Sequence, residues 1–208
     1  PVLLGTTAVF LATVLNTTNT AVSWSVAGVP GGNSTVGTIS AAGLFTAPQF
    51  LPVPSSIAVQ AASLADPAKT ATAMITITSD LGVTISPPGA SIELGASQPF
   101  QAAIASAGQP NMSVNRTVAG SGCSGAACGT VGANGLFTAP QILPSPPAVT
   151  LTATSIADPS RSATVAATLT SRFAFSLSGP ASLNAGANAN FAATLTPLPS
   201  SNPTAAIS

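Results

Sequence analysis

The chain has no histidine and no tyrosine, a single tryptophan, two cysteines and, in 208 residues, only four basic and four acidic side chains. Charged residues make up 4% of it, against about a quarter in an ordinary soluble domain. Each shortage removes a class of function. Without imidazole there is no Ser-His or Cys-His pair, and Lys69 is the one lysine left for a Ser-Lys pair. Two thiols without imidazole fall short of a four-ligand zinc site. The carboxylates Asp66, Asp80, Glu93 and Asp158 are scattered along the chain, whereas acid–base chemistry and calcium binding need them gathered. No catalytic, cofactor-binding or metal-binding residue is therefore expected. Zero net charge offers no steering towards nucleic acid or anionic lipid, and weak self-repulsion eases association between copies. The apolar run at 2–15, VLLGTTAVFLATVL, is too short to span a bilayer, is broken by Gly5, Thr6 and Thr7, and has no basic flank. No membrane insertion of this segment is expected.

What the chain has is repetition. GLFTAPQ stands at 43–49 and again at 135–141, and LADPAKTAT at 64–72 matches IADPSRSAT at 156–164. A looser element recurs three times, at 2–14, 92–104 and 183–195, with Gly5, Gly95 and Gly186 each five residues before a phenylalanine. From that phenylalanine an apolar alternation runs on: Phe10, Ala12, Val14; Phe100, Ala102, Ile104; Phe191, Ala193, Leu195. Period-two alternation is the mark of a half-buried strand. The same alternation marks 21–26, 56–63, 70–78, 148–155 and 162–170. The 18 glycines and 19 prolines punctuate these runs, and a helical period is lacking. The expectation is an all-β chain of tandem, Greek-key immunoglobulin-like sandwiches, about 91 residues per repeat.

The divisions expected are 1–80, 81–171 and 172–208. LGVTISPPG at 81–89 and FAFSLSGP at 173–180 look like first strands of new repeats, entered through TSD at 78–80 and TSR at 170–172. The first repeat lacks such a strand, and the third stops early. The chain is thus expected to begin and end inside a repeat, as a stretch of a longer array whose cut ends would expose sheet edges.

Within the shared heptapeptide, Gly43 and Gly135 suit a hairpin turn, Phe45 and Phe137 are expected to face inward with Ala47 and Ala139, and Pro48 and Pro140 to end the pairing. Asp66-Lys69 and Asp158-Arg161 share a turn design, acid first and base three residues on, and are expected to be exposed ion pairs of at most about 1 kcal/mol. Cys123 and Cys128 replace Gly31 and Val36 of the first repeat and read as a local disulfide worth about 2 kcal/mol. Asn16, Asn33, Asn111 and Asn115 satisfy the glycosylation sequon. Arg116 stands where the first repeat has Trp24, and the sequence offers no reason.

VSWSV, a glycine-rich loop, GTISAAGLFTAP, an alternating strand, ADP and a final strand together resemble the bacterial immunoglobulin-like repeats of group 2. SGCSGAACGTVGANGLFTAP resembles their variants in very large bacterial surface proteins. The resemblance covers essentially the whole chain. It implies an extracellular, array-forming module of adhesins, surface fibres or appendages of secreted enzymes. The function expected is structural and non-enzymatic: a bacterial surface fibre, stalk or filament. Its partners would be adjacent repeats or copies of itself, with strand exchange as one means of joining. The alternative is an adhesin or carbohydrate-binding accessory module with cell-surface glycans as partners. One tryptophan, no tyrosine and eight phenylalanines expected mostly at core positions count against that alternative.

Overall fold

A computed structural model describes residues 1–197, and the sequence from 198 to 208 lies outside the described residues. The architecture is all-β, in tandem immunoglobulin-like sandwiches. The first is built from strands between Val2 and Thr78. One of its sheets runs, in spatial order, Val2–Leu3, Thr70–Thr78, Ser56–Ser63, Val22–Val26 and Val29–Pro30. The facing sheet runs Thr7–Val9, Leu44–Thr46, Gly37–Ile39 and Gly32–Asn33. The chain leaves one sheet after Val29–Pro30, builds its hairpin in the other, and returns at Ser56. That is the Greek-key crossing of an immunoglobulin-like sandwich.

The second sandwich repeats the plan. Ala90–Glu93, Ser162–Thr170, Ala148–Ser155 and Val114–Ala119 form one sheet, and Ser97–Pro99, Leu136–Thr138 and Thr130–Val131 the other. It has two more strands, Gly82–Ser86 and Gln101–Ala105, which pair antiparallel from Gly82 opposite Ala105 to Ser86 opposite Gln101. In each sandwich a short strand joins the last strand in parallel, Val2 opposite Ile77 and Ile92 opposite Leu169. The only helical turn among the described residues is Gly125–Cys128. Beyond it, Phe173–Ser178 pairs antiparallel with Ala192–Pro197.

Alternation decides what goes inside. In Ser56–Ser63 the buried residues are Ile57, Val59, Ala61 and Ser63, and in Ala148–Ser155 they are Val149, Leu151, Ala153 and Ser155. Phe45 and Phe137 are wholly buried at the centre of the two cores. Phe10 meets Phe45 edge-on with centroids 6.1 Å apart, and Phe100 meets Phe137 at 6.4 Å. Burying one such ring contributes about 2–3 kcal/mol.

Two expectations need correction. The alternation Phe10, Ala12, Val14 reads as strand, yet pairing in this part stops at Val9. Residues 11–15 keep the alternating burial of a strand but have no neighbour to bond, because the partner of the equivalent 101–105 is Gly82–Ser86 and nothing among the described residues plays that part here. Nor are the phenylalanines mostly core residues. Phe50, Phe173, Phe175 and Phe191 are exposed. Three of these four belong to the Phe173–Ser178 strand or to the segment entering its partner, a pair that no second sheet faces among the described residues.

Candidate functional site

Gly43 and Gly135 have φ of 79° and 82°, backbone that a side chain rarely tolerates. Each closes a turn, Gly43 N–H donating to Ser40 O and Gly135 N–H to Gly132 O, both at 2.9 Å. Their carbonyls then accept from Phe10 N–H and Phe100 N–H at 2.8 Å. Pro48 and Pro140 lie beyond the last paired residue, and their carbonyls accept Gly5 N–H at 3.0 Å and Gly95 N–H at 3.1 Å. Cys123 and Cys128 are joined, Cα atoms 5.1 Å apart, and Cys128 is part of the second core. Asn16, Asn33 and Asn115 are exposed, and Asn111 is half-buried.

The structure accounts for Arg116. Trp24 lies opposite Ala61 and Arg116 opposite Ala153, in equivalent registers. Each covers the hairpin turn below it. A Cβ on Gly43 would come within 3.2 Å of the Trp24 ring, and one on Gly135 within 3.5 Å of Arg116 Nε. Arg116 Nη1 donates to the turn carbonyl of Ala133 at 2.7 Å, replacing ring contact by a charge-assisted hydrogen bond. In both, one buried N–H has no protein partner: Trp24 Nε1 and Arg116 Nε.

The two ADP turns differ in a way their letters do not announce. Asp158 and Arg161 form an ion pair, Nε to Oδ2 3.4 Å. Asp66 and Lys69 share the same turn and its backbone bond, Lys69 N–H to Asp66 O at 2.9 Å, but no ion pair joins their side chains among the described residues. An exposed lysine gains too little from such a pair to give up its rotamers. Asp158 departs from expectation in the other direction: it is 3% exposed, because its turn is pressed against the first sandwich.

That contact is a built joint. From the second sandwich, Leu81, Ile104 and Ala157 pack on the first core. Leu51 N–H donates to Ala157 O at 2.8 Å, Asn111 N–H to Gln49 O at 3.0 Å, and Arg161 Nη2 to Ser79 O at 3.3 Å. The backbones approach so closely that a Cβ on Gly108 would collide with the carbonyl of Leu4, and one on Gly5 with the backbone of Gln109. Burial opposes ionisation of Asp158. It is outweighed by the hydroxyl of Ser160, the hydroxyl of Ser79, the Ser160 N–H and the Arg161 guanidinium, which hold the carboxyl below the usual aspartate range. Asp80 is also lowered, by the Ser106 hydroxyl at 2.6 Å and the Ala107 N–H at 2.8 Å. At the next junction Arg172 Nε pairs with Glu93 at 2.9 Å. Sequence reading missed this joint. Its one trace in the heptapeptide is Gln49 of the first copy, whose carbonyl accepts Asn111 N–H across the joint.

The other notable surface is a groove of about 680 Å³ on the first sandwich. The unpaired segment from Phe10 to Thr17 forms one wall. Trp24, Val59 and Ala61 form the floor, and Thr70–Ala73 with the Asp66 turn the other wall. In the second sandwich Gly82–Ser86 occupies the equivalent place, lying against Ser162–Thr170 and Ala148–Ser155. Only about 10 Å³ is left there, between Ile85, Phe100 and Arg116.

This geometry defines a class: consecutive immunoglobulin-like sandwiches joined pole to pole. Among the described residues no cluster of three His, Cys, Asp or Glu could hold a metal ion. Nor is any helix among those residues long and apolar enough to cross a membrane. No protein-family model matches the chain, and no curated protein matches it. Solved structures of similar arrangement include Drosophila N-cadherin EC1-4, at 15% identity over 72% of this chain and 41% of that one, TM-score 0.32. Titin domains z1z2 in complex with telethonin match at 17% identity over 81% and 89%, TM-score 0.35. Domains 4 and 5 of the S-layer protein SbsC match at 13% identity over 74% and 73%, TM-score 0.31. The chain spans about two-fifths of the N-cadherin fragment. Similarity this loose carries no argument about activity or partner.

Proposed function

We propose that this chain is a load-bearing stretch of an extracellular bacterial surface protein, in which group 2 immunoglobulin-like repeats form a fibre, stalk or filament. Repeats 1–80, 81–171 and one starting at 172 are its structural units, and it acts without catalysis. The observation that carries this reading is the joint. Leu81, Ile104 and Ala157 on the neighbouring core, three backbone-directed hydrogen bonds and a glycine-to-backbone approach couple successive repeats directly. A flexible linker would let them swing. The disulfide fits an oxidising compartment, and the scarcity of charge fits a surface that packs against its own kind. Strand exchange between neighbouring chains belongs to the same reading.

Nitrogen-15 relaxation on the 208-residue chain tests the joint. The first and second sandwiches are expected to share one tumbling time, and Gly108→Val is expected to split it into two. Independent tumbling of the unaltered sandwiches would overturn the reading, as would electron micrographs of native material showing compact separate particles in place of fibres or stalks.

A further inference from the structure

A second groove of the first sandwich, about 760 Å³, lies between the edge strand Gly32–Asn33 with its turn and the segment 47–53 that carries the chain back to the other sheet. No charged side chain lines it. Phe50 stands in it, 45% exposed, and its backbone is held from both sides across the joint. Gln49 O accepts Asn111 N–H at 3.0 Å, and Leu51 N–H donates to Ala157 O at 2.8 Å. Around the ring are exposed neutral groups. Asn33 Oδ1 accepts Thr35 N–H at 2.9 Å and Val36 N–H at 3.1 Å, which fixes the carboxamide and leaves its Nδ2 available to donate. The side chains of Ser34, Thr35, Thr38, Thr46 and Gln49 make no hydrogen bond among the described residues. Thr38 and Thr46 lie directly opposite each other in the register, so their hydroxyls share one face of the sheet.

The second sandwich has the same segments without the same chemistry. Ninety-two positions on, Asn33, Ser34 and Thr35 become Gly125, Ala126 and Ala127, and Phe50 becomes Ile142. Thr138, the counterpart of Thr46, is already hydrogen-bonded to the Ser97 hydroxyl at 2.9 Å. An amide, two hydroxyls and an aromatic ring are thus lost together. The fold does not require the set, since the second core closes around Phe137 without it. An uncharged recess with one exposed ring, amides and hydroxyls suits a molecule that has C–H groups on one face and hydroxyls around its rim. The ring covers the C–H face, while carboxamides and hydroxyls donate to the rim and accept from it. That is the chemistry of a neutral sugar. A charged ligand would meet no counter-charge to offset its desolvation. A lipid chain or an apolar peptide would leave the polar groups unpaired.

We propose that this groove binds a neutral oligosaccharide, with Phe50 as the platform under one sugar ring and Asn33, Thr35 and Gln49 as its hydrogen-bonding partners. The site goes beyond the structural reading and is independent of whether the repeats form a fibre. The probe is an array of neutral and anionic oligosaccharides presented to the fluorescently labelled 208-residue chain. Binding is expected on neutral members alone. Titrating the nitrogen-15 chain with the best-bound oligosaccharide is expected to move the amide signals of Ser34, Thr35, Gln49 and Phe50. Those of Ala126, Ala127, Gln141 and Ile142 are expected to stay in place. Phe50→Ile, which carries the second sandwich's own residue, is expected to weaken binding about tenfold, and Phe50→Trp to preserve it. Asn33→Gly with Thr35→Ala is expected to weaken it by a similar factor. All three variants are expected to melt with the native chain, because these residues lie outside the core. The proposal is overturned by an array without binding, by binding confined to anionic members, by shifts of equal size in the second sandwich, or by affinity that survives Phe50→Ile. None of these outcomes bears on the joint, whose own test is the relaxation measurement.

Discussion

Val165 and Ala73 occupy the same place on the last strand of their sandwiches, 92 residues apart, in different surroundings. Val165 is 5% exposed and lies in the second core, while Ala73 is exposed on the wall of the groove. Ala163 and Ala71, two residues earlier, differ in the same sense. One strand accounts for the difference, since Gly82–Ser86 lies over the second sandwich and has no counterpart over the first among the described residues. Yet Phe45 and Phe137 are equally and completely buried. The two sheets of this fold close their centre without the first strand, which acts as a cover for one flank.

The largest effect tests what the two sandwiches share. Phe45→Ala and Phe137→Ala should each cost about 3–5 kcal/mol, read as the loss in the calorimetric transition of the sandwich concerned. Equal losses would sharpen the comparison, whereas a much smaller loss at Phe45 would mean that the open flank loosens the first core. Next comes the staple present in one sandwich alone. Cys123→Ser with Cys128→Ser should lower the stability of the second sandwich by about 2 kcal/mol and leave the first transition where it was. The covered flank itself is tested by Val165→Ala, expected to cost about 1.5 kcal/mol, against Ala73→Ser at under about 0.5 kcal/mol. Similar values in denaturant titrations would break the contrast drawn from burial.

The smallest effect concerns the joint. Asp158 has a lowered pKa in the folded chain. Its contribution is therefore fully present above the unfolded value of about 4 and is lost as pH falls through the lower folded one. Melting temperatures between about pH 5 and pH 2 should fall more steeply for the native chain than for Asp158→Asn. Parallel curves would mean that the carboxylate adds nothing to the joint.

Much of the fold is legible in the letters because strand burial is a local, period-two property. Val59 and Leu151 sit inside because each strand's alternate residues share a face. Pairing is another matter. Residues 10–14 alternate as regularly as 100–104, and only the presence of a neighbour separates a laddered strand from an unpaired one. The joint was illegible for a related reason. ADPAK and ADPSR make the same turn with the same backbone bond between acid and base positions, and which aspartate is buried depends on which pole meets another sandwich. Phe173 and Phe175 read as core by pattern and lie exposed because no second sheet faces their strand among the described residues.

The sequence by itself determined the strands, their turns and the residues that close each core, since propensity, alternation and glycine's tolerance of positive φ act over a few residues. Tertiary structure decided the rest: that Arg116 holds the hairpin by a hydrogen bond where Trp24 covers it with a ring, and that Asp158 is sealed into a joint. Each of these depends on which distant backbone arrives beside the residue, a matter of contact across space that identical letters cannot encode.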